Sequence, residues 1–246
     1  MFARRLVGAR RMSAAAVTLA VPLALCAGAA PAQARDDGDG PARPVDIGGG
    51  RRVLLDCRGS GSPTVVLVSG AGGASDEWTH IADAARPPYV LVGASWGAMI
   101  AALFARTAPA RTAGVVTVDG ASPFLKDALT PAQWSAWMEK VRATDPGKGL
   151  ETPDYPAAVR ELREAPALPR GLPAVVLTSD HPWDLSVGGG STWPAWLAAQ
   201  RRLAEELRAR HVTDTDSGHG IAVEQPRLVV RAIRDVVGQA RAGQER

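Results

Sequence analysis

The sequence predicts an α/β protein: a mostly parallel sheet with helices on both faces and a small helical cap. Two observations predict it. Short β-branched runs alternate with amphipathic stretches along the chain, and strands separated by helices return parallel through crossover connections. One of the strands also runs through the turn Gly93-Ala-Ser95-Trp-Gly97 straight into a helical stretch. The 246 residues, 46% hydrophobic and 22% charged, are those of an ordinary globular chain, which excludes disorder, collagen and a disulfide scaffold.

The chain opens with a basic stretch to Arg11, an uncharged Ala/Leu/Val-rich run, and Ala32-Gln33-Ala34 ahead of Arg35-Asp36-Asp37. This is the layout of a secretory signal peptide, residues 1–34, cleaved after Ala34; the alternative is a retained membrane anchor, since the apolar run is just long enough to span. The expected location is therefore outside the cell, with no membrane attachment after cleavage. The formal charge of +3 belongs to this leader, because its removal leaves 24 Lys+Arg against 25 Asp+Glu. Nothing in the remainder argues for nucleic acid. Cys57 is then the only cysteine of the mature chain, which excludes an internal disulfide.

Residues 35–44, rich in Asp, Gly, Pro and Arg, read as a flexible linker to a domain at about 45–240. Strands are expected at Arg52–Cys57, Thr64–Val68, Tyr89–Val92, Gly114–Val118, Ala174–Thr178 and His211–Thr213. Helices are expected at 75–85, 98–106, 131–142, 156–164, 194–209 and 226–238; Ile100, Leu103 and Phe104 give the i, i+3, i+4 stripe of the second. The segment 122–172 is too long for a turn and carries two helical patterns, hence the cap.

A serine at a strand-to-helix turn has a strained backbone, and flanking glycines let neighbouring chain pass close to it. Its hydroxyl stands at a helix N-terminus, where N–H groups can meet a developing oxyanion. Such a serine needs a base. His80, His181 and His211 read as surface or capping residues, whereas His219 lies in Asp216-Ser-Gly-His-Gly220 between the last strand and the last helix. A loop there can project an imidazole over the C-terminal edge of the sheet.

Together these segments resemble the α/β-hydrolase fold family over about residues 45–238. Val65-Val-Leu-Val-Ser69-Gly70-Ala71-Gly-Gly73 is similar to its oxyanion turn, Gly93–Gly97 to its nucleophile elbow, and Ser217-Gly-His219 with Glu224-Gln-Pro226 to its histidine loop and last helix. The resemblance implies Ser95 as nucleophile, His219 as general base and acid, and the N–H groups of Trp96 and Ala71 as the oxyanion hole. Asp119, at the end of the strand beside the nucleophile strand, is the favoured acid; Asp180 and Asp184, after the next strand, stay open as alternatives. The implied activity is a secreted serine hydrolase that cleaves a carboxylic ester or related acyl substrate through a Ser95 acyl-enzyme. An amidase or peptidase on the same elbow, or a non-catalytic binding scaffold, is the alternative.

The aromatic residues Trp134, Trp137, Trp183, Trp193 and Trp196 read either as core packing or as the lining of a pocket for a small apolar acyl or ester substrate. No metal-ligand spacing and no phosphate-cradling glycine loop is present, so neither metal nor cofactor is expected. Only 25 residues separate Gly70 from Ser95, where the family fits a helix, a strand and another helix. One strand–helix unit is expected to be missing, with a cost in stability and activity. The Arg52–Cys57 strand should then pair directly with Thr64–Val68 or form a hairpin at the sheet edge.

Overall fold

The computed structural model describes residues 43–48, 51–55, 62–70, 88–143, 154–183 and 190–244. The signal segment, most of the linker, the helix expected at 75–85, Cys57, Ala71, His80 and Asp184 lie outside the described residues.

Five parallel strands form the sheet: β3 (Thr64–Val68), β4 (Tyr89–Ala94), β5 (Thr112–Val118), β6 (Ala174–Leu177) and β7 (Arg210–Val212), in spatial order β3-β4-β5-β6-β7. Helices pack on both faces, as alternation along the strands requires. Val90, Val92, Val116, Val118, Val175 and Leu177 point to one face, where α6 (Ile221–Glu224) and α7 (Pro226–Gln244) bring Ile221, Val229, Ala232, Ile233 and Val236. On the other face Tyr89, Leu91 and Val115 meet α1 (Gly97–Thr107), and Ala174 and Val176 meet Leu203, Ala204 and Leu207 of α5 (Trp193–Leu207). Helix α7 runs six residues past its expected end, straight through Gly238, because Ala240 still packs against the interior.

Among its described residues the segment between β5 and β6 holds three helices where two were expected: α2 (Pro123–Ala128), α3 (Pro131–Ala143) and α4 (Tyr155–Glu164). Leu125, Trp137, Met138, Tyr155, Val159 and Leu162 pack with Met99 of α1 and with Trp196 and Ala199 of α5. Helix α2 is too short to show a helical period. Asp127 near its end fixes it, pairing with Arg163 of α4 and Arg202 of α5.

Strand β1 (Arg43–Gly48) begins inside the stretch expected to be linker and pairs antiparallel with β2 (Arg51–Leu55) as a separate two-stranded sheet. Strand β2 therefore pairs within a hairpin and not with β3. Strand β3 is the edge of the five-stranded sheet.

The elbow is the tightest place in this fold. A Cβ on Gly97 would overlap the carbonyl oxygens of Val68 and Ser69, and one on Gly93 would overlap the Gly97 carbonyl. Both obstacles are backbone, which cannot swing aside as a side chain can. Gly97→Ala is expected to cost on the order of 2 kcal/mol or more, read as a lower midpoint in urea denaturation. A midpoint equal to that of the parent chain would show that the elbow has room to spare.

Candidate active site

Strands β4 and β5 run in register up to Ala94 opposite Val118. The next residue on each, Ser95 and Asp119, turns out of the sheet with a left-handed backbone, φ 46° and 41°. Both keep their amides in the ladder: Ser95 N–H donates to Val118 O (3.1 Å), and Asp119 N–H donates to Leu177 O (2.8 Å). The chain beyond Asp119 then crosses back, and the Ala121 N–H donates to Ser95 O (2.8 Å). A strained φ on two non-glycine residues costs of order 1–3 kcal/mol each and persists only where its surroundings fix it.

His219 bridges the two side chains. Its Nε2 lies 3.0 Å from Ser95 Oγ and its Nδ1 lies 2.7 Å from Asp119 Oδ2. Asp119 is wholly buried, while the His219 side chain keeps 34% of its surface. A serine hydroxyl, an imidazole and a buried carboxylate thus form one hydrogen-bonded chain at the C-terminal edge of the sheet. Metal-ligating clusters are absent among the described residues. No described helix is long and apolar enough to cross a membrane.

The other oxygen of Asp119, Oδ1, accepts the Ser179 N–H (3.1 Å) and the indole N–H of Trp196 (2.9 Å). Trp183 lies against the His219 ring, centroids 4.0 Å apart, and its own N–H donates to Ser179 Oγ. Sequence reasoning treated both tryptophans as apolar bulk and missed their polar edges. The partner of Trp196 lies 77 residues away in the chain, beyond any local pattern, whereas that of Trp183 is only four residues before it.

Of the two alternatives to Asp119, Asp184 lies outside the described residues. Asp180 does not touch His219; it holds the loop that carries it. Its carboxylate accepts the N–H groups of Asp216 (3.1 Å) and Ser217 (3.0 Å) and the Thr215 hydroxyl (3.3 Å). From the other side of the loop, Glu224 accepts the Gly218 N–H and Gln225 donates to Asp216 O. His181 is a surface residue, as expected, with Nε2 3.3 Å from Asp216. His211 departs from expectation. It sits within β7, half-buried, with Nε2 2.8 Å from Thr178 Oγ1, and burial followed by the nearby Arg201 charge lowers its pKa.

Trp96, the first residue after Ser95, precedes α1 in a helical conformation, so its amide belongs to the unpaired N–H groups of a helix N-terminus. Ala71 is outside the described residues. Trp134, Trp137, Trp183, Trp193 and Trp196 all belong to one packed cluster, the first of the two expected uses. Trp137 and Trp196 are buried, Trp134 stacks on Trp137, and Trp193 joins Leu197, Arg201 and His211 around a cavity of about 380 Å³. None of Ser95, His219 and Asp119 lines that cavity.

The chain adopts the α/β-hydrolase fold. Residues 85–163, from the approach to β4 into α4 and including the elbow, match the family model for that fold, and the parallel sheet continues on both sides of that segment. Three solved structures illustrate the similarity. Rv0554 from Mycobacterium tuberculosis is 18% identical, with 76% of this chain and 94% of that one covered and a TM-score of 0.47. E-2-(Acetamidomethylene)succinate hydrolase is 17% identical, with 80% and 99% covered and a TM-score of 0.48. The thioesterase domain from the curacin biosynthetic pathway is 15% identical, with 78% and 98% covered and a TM-score of 0.49. No curated protein matches the sequence. At these identities and scores the activities of the solved proteins do not transfer to this chain.

The Asp180 clamp makes the histidine loop sensitive to acid. Partial desolvation pushes the Asp180 carboxyl up, but the amides of Ser217 and Asp216 and its own, together with His181, outweigh it and hold the group below its ordinary value. A lowered carboxylate contributes its stability above the unfolded value, about 3.9, and loses it as pH falls through the folded one. Asp180→Asn turns an NH₂ toward one of these amides. It is expected to cost about 1 kcal/mol near neutral pH, the low end for a partly solvated charged acceptor, or roughly 2–4 °C in melting temperature. The gap to the parent chain should shrink below about pH 4; a gap that stays constant down to pH 3 would contradict the clamp.

Proposed function

We propose that the protein is a serine hydrolase that cleaves a carboxylic ester or related acyl substrate through an acyl-enzyme on Ser95. The observation that carries this reading is the unbroken chain Ser95 Oγ–His219 Nε2, His219 Nδ1–Asp119 Oδ2, at 3.0 and 2.7 Å. Ser95 Oγ attacks the acyl carbon as its proton passes to His219 Nε2. The carbonyl oxygen becomes an oxyanion, met by the Trp96 N–H and, as the second donor, by that of Ala71. Collapse breaks the bond to the leaving group, which departs with the proton held on Nε2. Water then enters, gives its proton to Nε2 and attacks the acyl carbon, and the carboxylic acid leaves as Ser95 Oγ recovers its proton. Asp119 holds the imidazole with its Nδ1 proton turned inward and balances the imidazolium while it lasts.

The substrate side is drawn more coarsely. The aromatic surface of Trp183 against His219 favours a small apolar acyl group. Export with removal of residues 1–34 completes the reading, and the N-terminal sequence of protein recovered from the medium should begin at Arg35.

A fluorophosphonate probe is expected to label the mature chain at Ser95 and not to label Ser95→Ala. Asp119→Asn should lower p-nitrophenyl ester turnover by up to about ten-thousand-fold with the fold intact, whereas the same exchange at Asp180 should leave most turnover in place. Folded protein with neither labelling nor turnover would reject the hydrolase reading in favour of a binding scaffold.

A further inference from the structure

We propose that Trp196, held on α5, is a positioning residue for the reaction: its indole N–H fixes which oxygen of Asp119 faces His219. The proposal rests on the serine hydrolase reading above and concerns how the acid of that relay is set.

Asp119 has no exposed surface, so every lone pair it presents is directed to a protein donor or left unsatisfied. Its Oδ1 receives two donors, the Ser179 N–H and Trp196 Nε1–H, while Oδ2 receives His219 Nδ1. Two donors of fixed direction on one oxygen stop the carboxylate from rotating about Cβ–Cγ. His219 on Oδ2 is the ring to be oriented, so without Trp196 the Ser179 amide would be the one fixed donor, and a single bond is a pivot. Trp196 supplies the second point, and it is itself well fixed: 4% exposed, edge-on to Trp183 at 4.7 Å and to the His219 ring at 5.8 Å.

One turn further along α5, fully buried Gln200 donates from Nε2 to Gly120 O at 2.6 Å. The helix thus grips both the side chain of Asp119 and the peptide that follows it. Packing alone asks for an apolar residue at position 196. The N–H aimed at the acid, and Gln200 aimed at its turn, are what packing does not require. Proton transfer to His219 needs the carboxylate in place before the imidazolium forms, and a carboxylate free to turn spends part of its time facing away.

The test compares the full chain with Trp196→Phe and with Trp196→benzothienylalanine, which keeps the bicyclic shape and lacks the N–H. The readouts are the rate of Ser95 labelling by a fluorophosphonate and kcat and KM on a p-nitrophenyl ester. Each variant is also combined with Asp119→Asn. Both variants should label and turn over about ten-fold more slowly, with KM changed by less than about two-fold, the size expected for loss of one hydrogen bond to a charged group. In the Asp119→Asn background the further loss should vanish, because the effect runs through that carboxylate. Benzothienylalanine at parental rates, or an equal loss in both backgrounds, would overturn the proposal while leaving the hydrolase reading intact. Absence of labelling in the parent chain would overturn both. Should Trp196→Phe fail to fold, the isosteric variant carries the comparison.

Discussion

A carboxylate taken wholly out of water costs several kcal/mol unless donors surround it, and the site is arranged around that requirement at Asp119. Strand β5 delivers the residue, the end of β6 supplies the Ser179 amide, α5 supplies the Trp196 indole, and the loop after β7 supplies His219. Four separate stretches of chain must therefore stand at one level above the sheet. The parallel register sets that level, since each ladder carries on one residue past its strand: Ser95 onto Val118, Asp119 onto Leu177, and Thr178 onto Val212. The loop with His219 is then fastened to the same edge by Asp180, whose own amide and that of His181 both donate to Ser217 O.

The relay is built on the ends of neighbouring strands. The spatial order β3-β4-β5-β6-β7 puts Ser95, Asp119, Asp180 and the histidine loop on the ends of β4 to β7. Strand β4, which carries the nucleophile, is the neighbour of β3, and β5, which carries the acid, lies one strand further in. Strand β2 pairs with β1 in a separate sheet.

Ser95 and His219 were legible in the sequence because each lies in a local pattern, a glycine-flanked turn and a loop ahead of a long amphipathic helix. The choice between Asp119 and Asp180 was not, since both directly follow β-branched strands. What separates them is direction: Asp119 turns left-handed beside Ser95, while Asp180 spends its oxygens on the amides of Asp216 and Ser217. Strand β1 was illegible for another reason. Arg43-Pro-Val-Asp-Ile-Gly48 is poor in strand formers apart from Val45 and Ile47, and pairing with β2 makes it a strand. His211 reads as polar surface, yet β7 carries it inward against Thr178.

The cap is tied to the elbow through the same residue that follows the serine. The Trp96 ring meets Tyr155 of α4 at 4.4 Å, Tyr155 meets Trp137 of α3 at 4.8 Å, and Trp137 stacks on Trp134 at 5.7 Å. The first two contacts hold their rings edge to face and the third is stacked, each with a defined direction. Burial against these rings also pushes the Tyr155 phenol well above its ordinary pKa, so it stays neutral at any working pH. The backbone of Trp96 stands beside Ser95 while its side chain is anchored among cap helices. The residue just after the serine thus belongs, through its side chain, to the packing of α3 and α4. Here the inserted helices and the strained turn form one packed unit, which gives the left-handed Ser95 the surroundings its backbone requires.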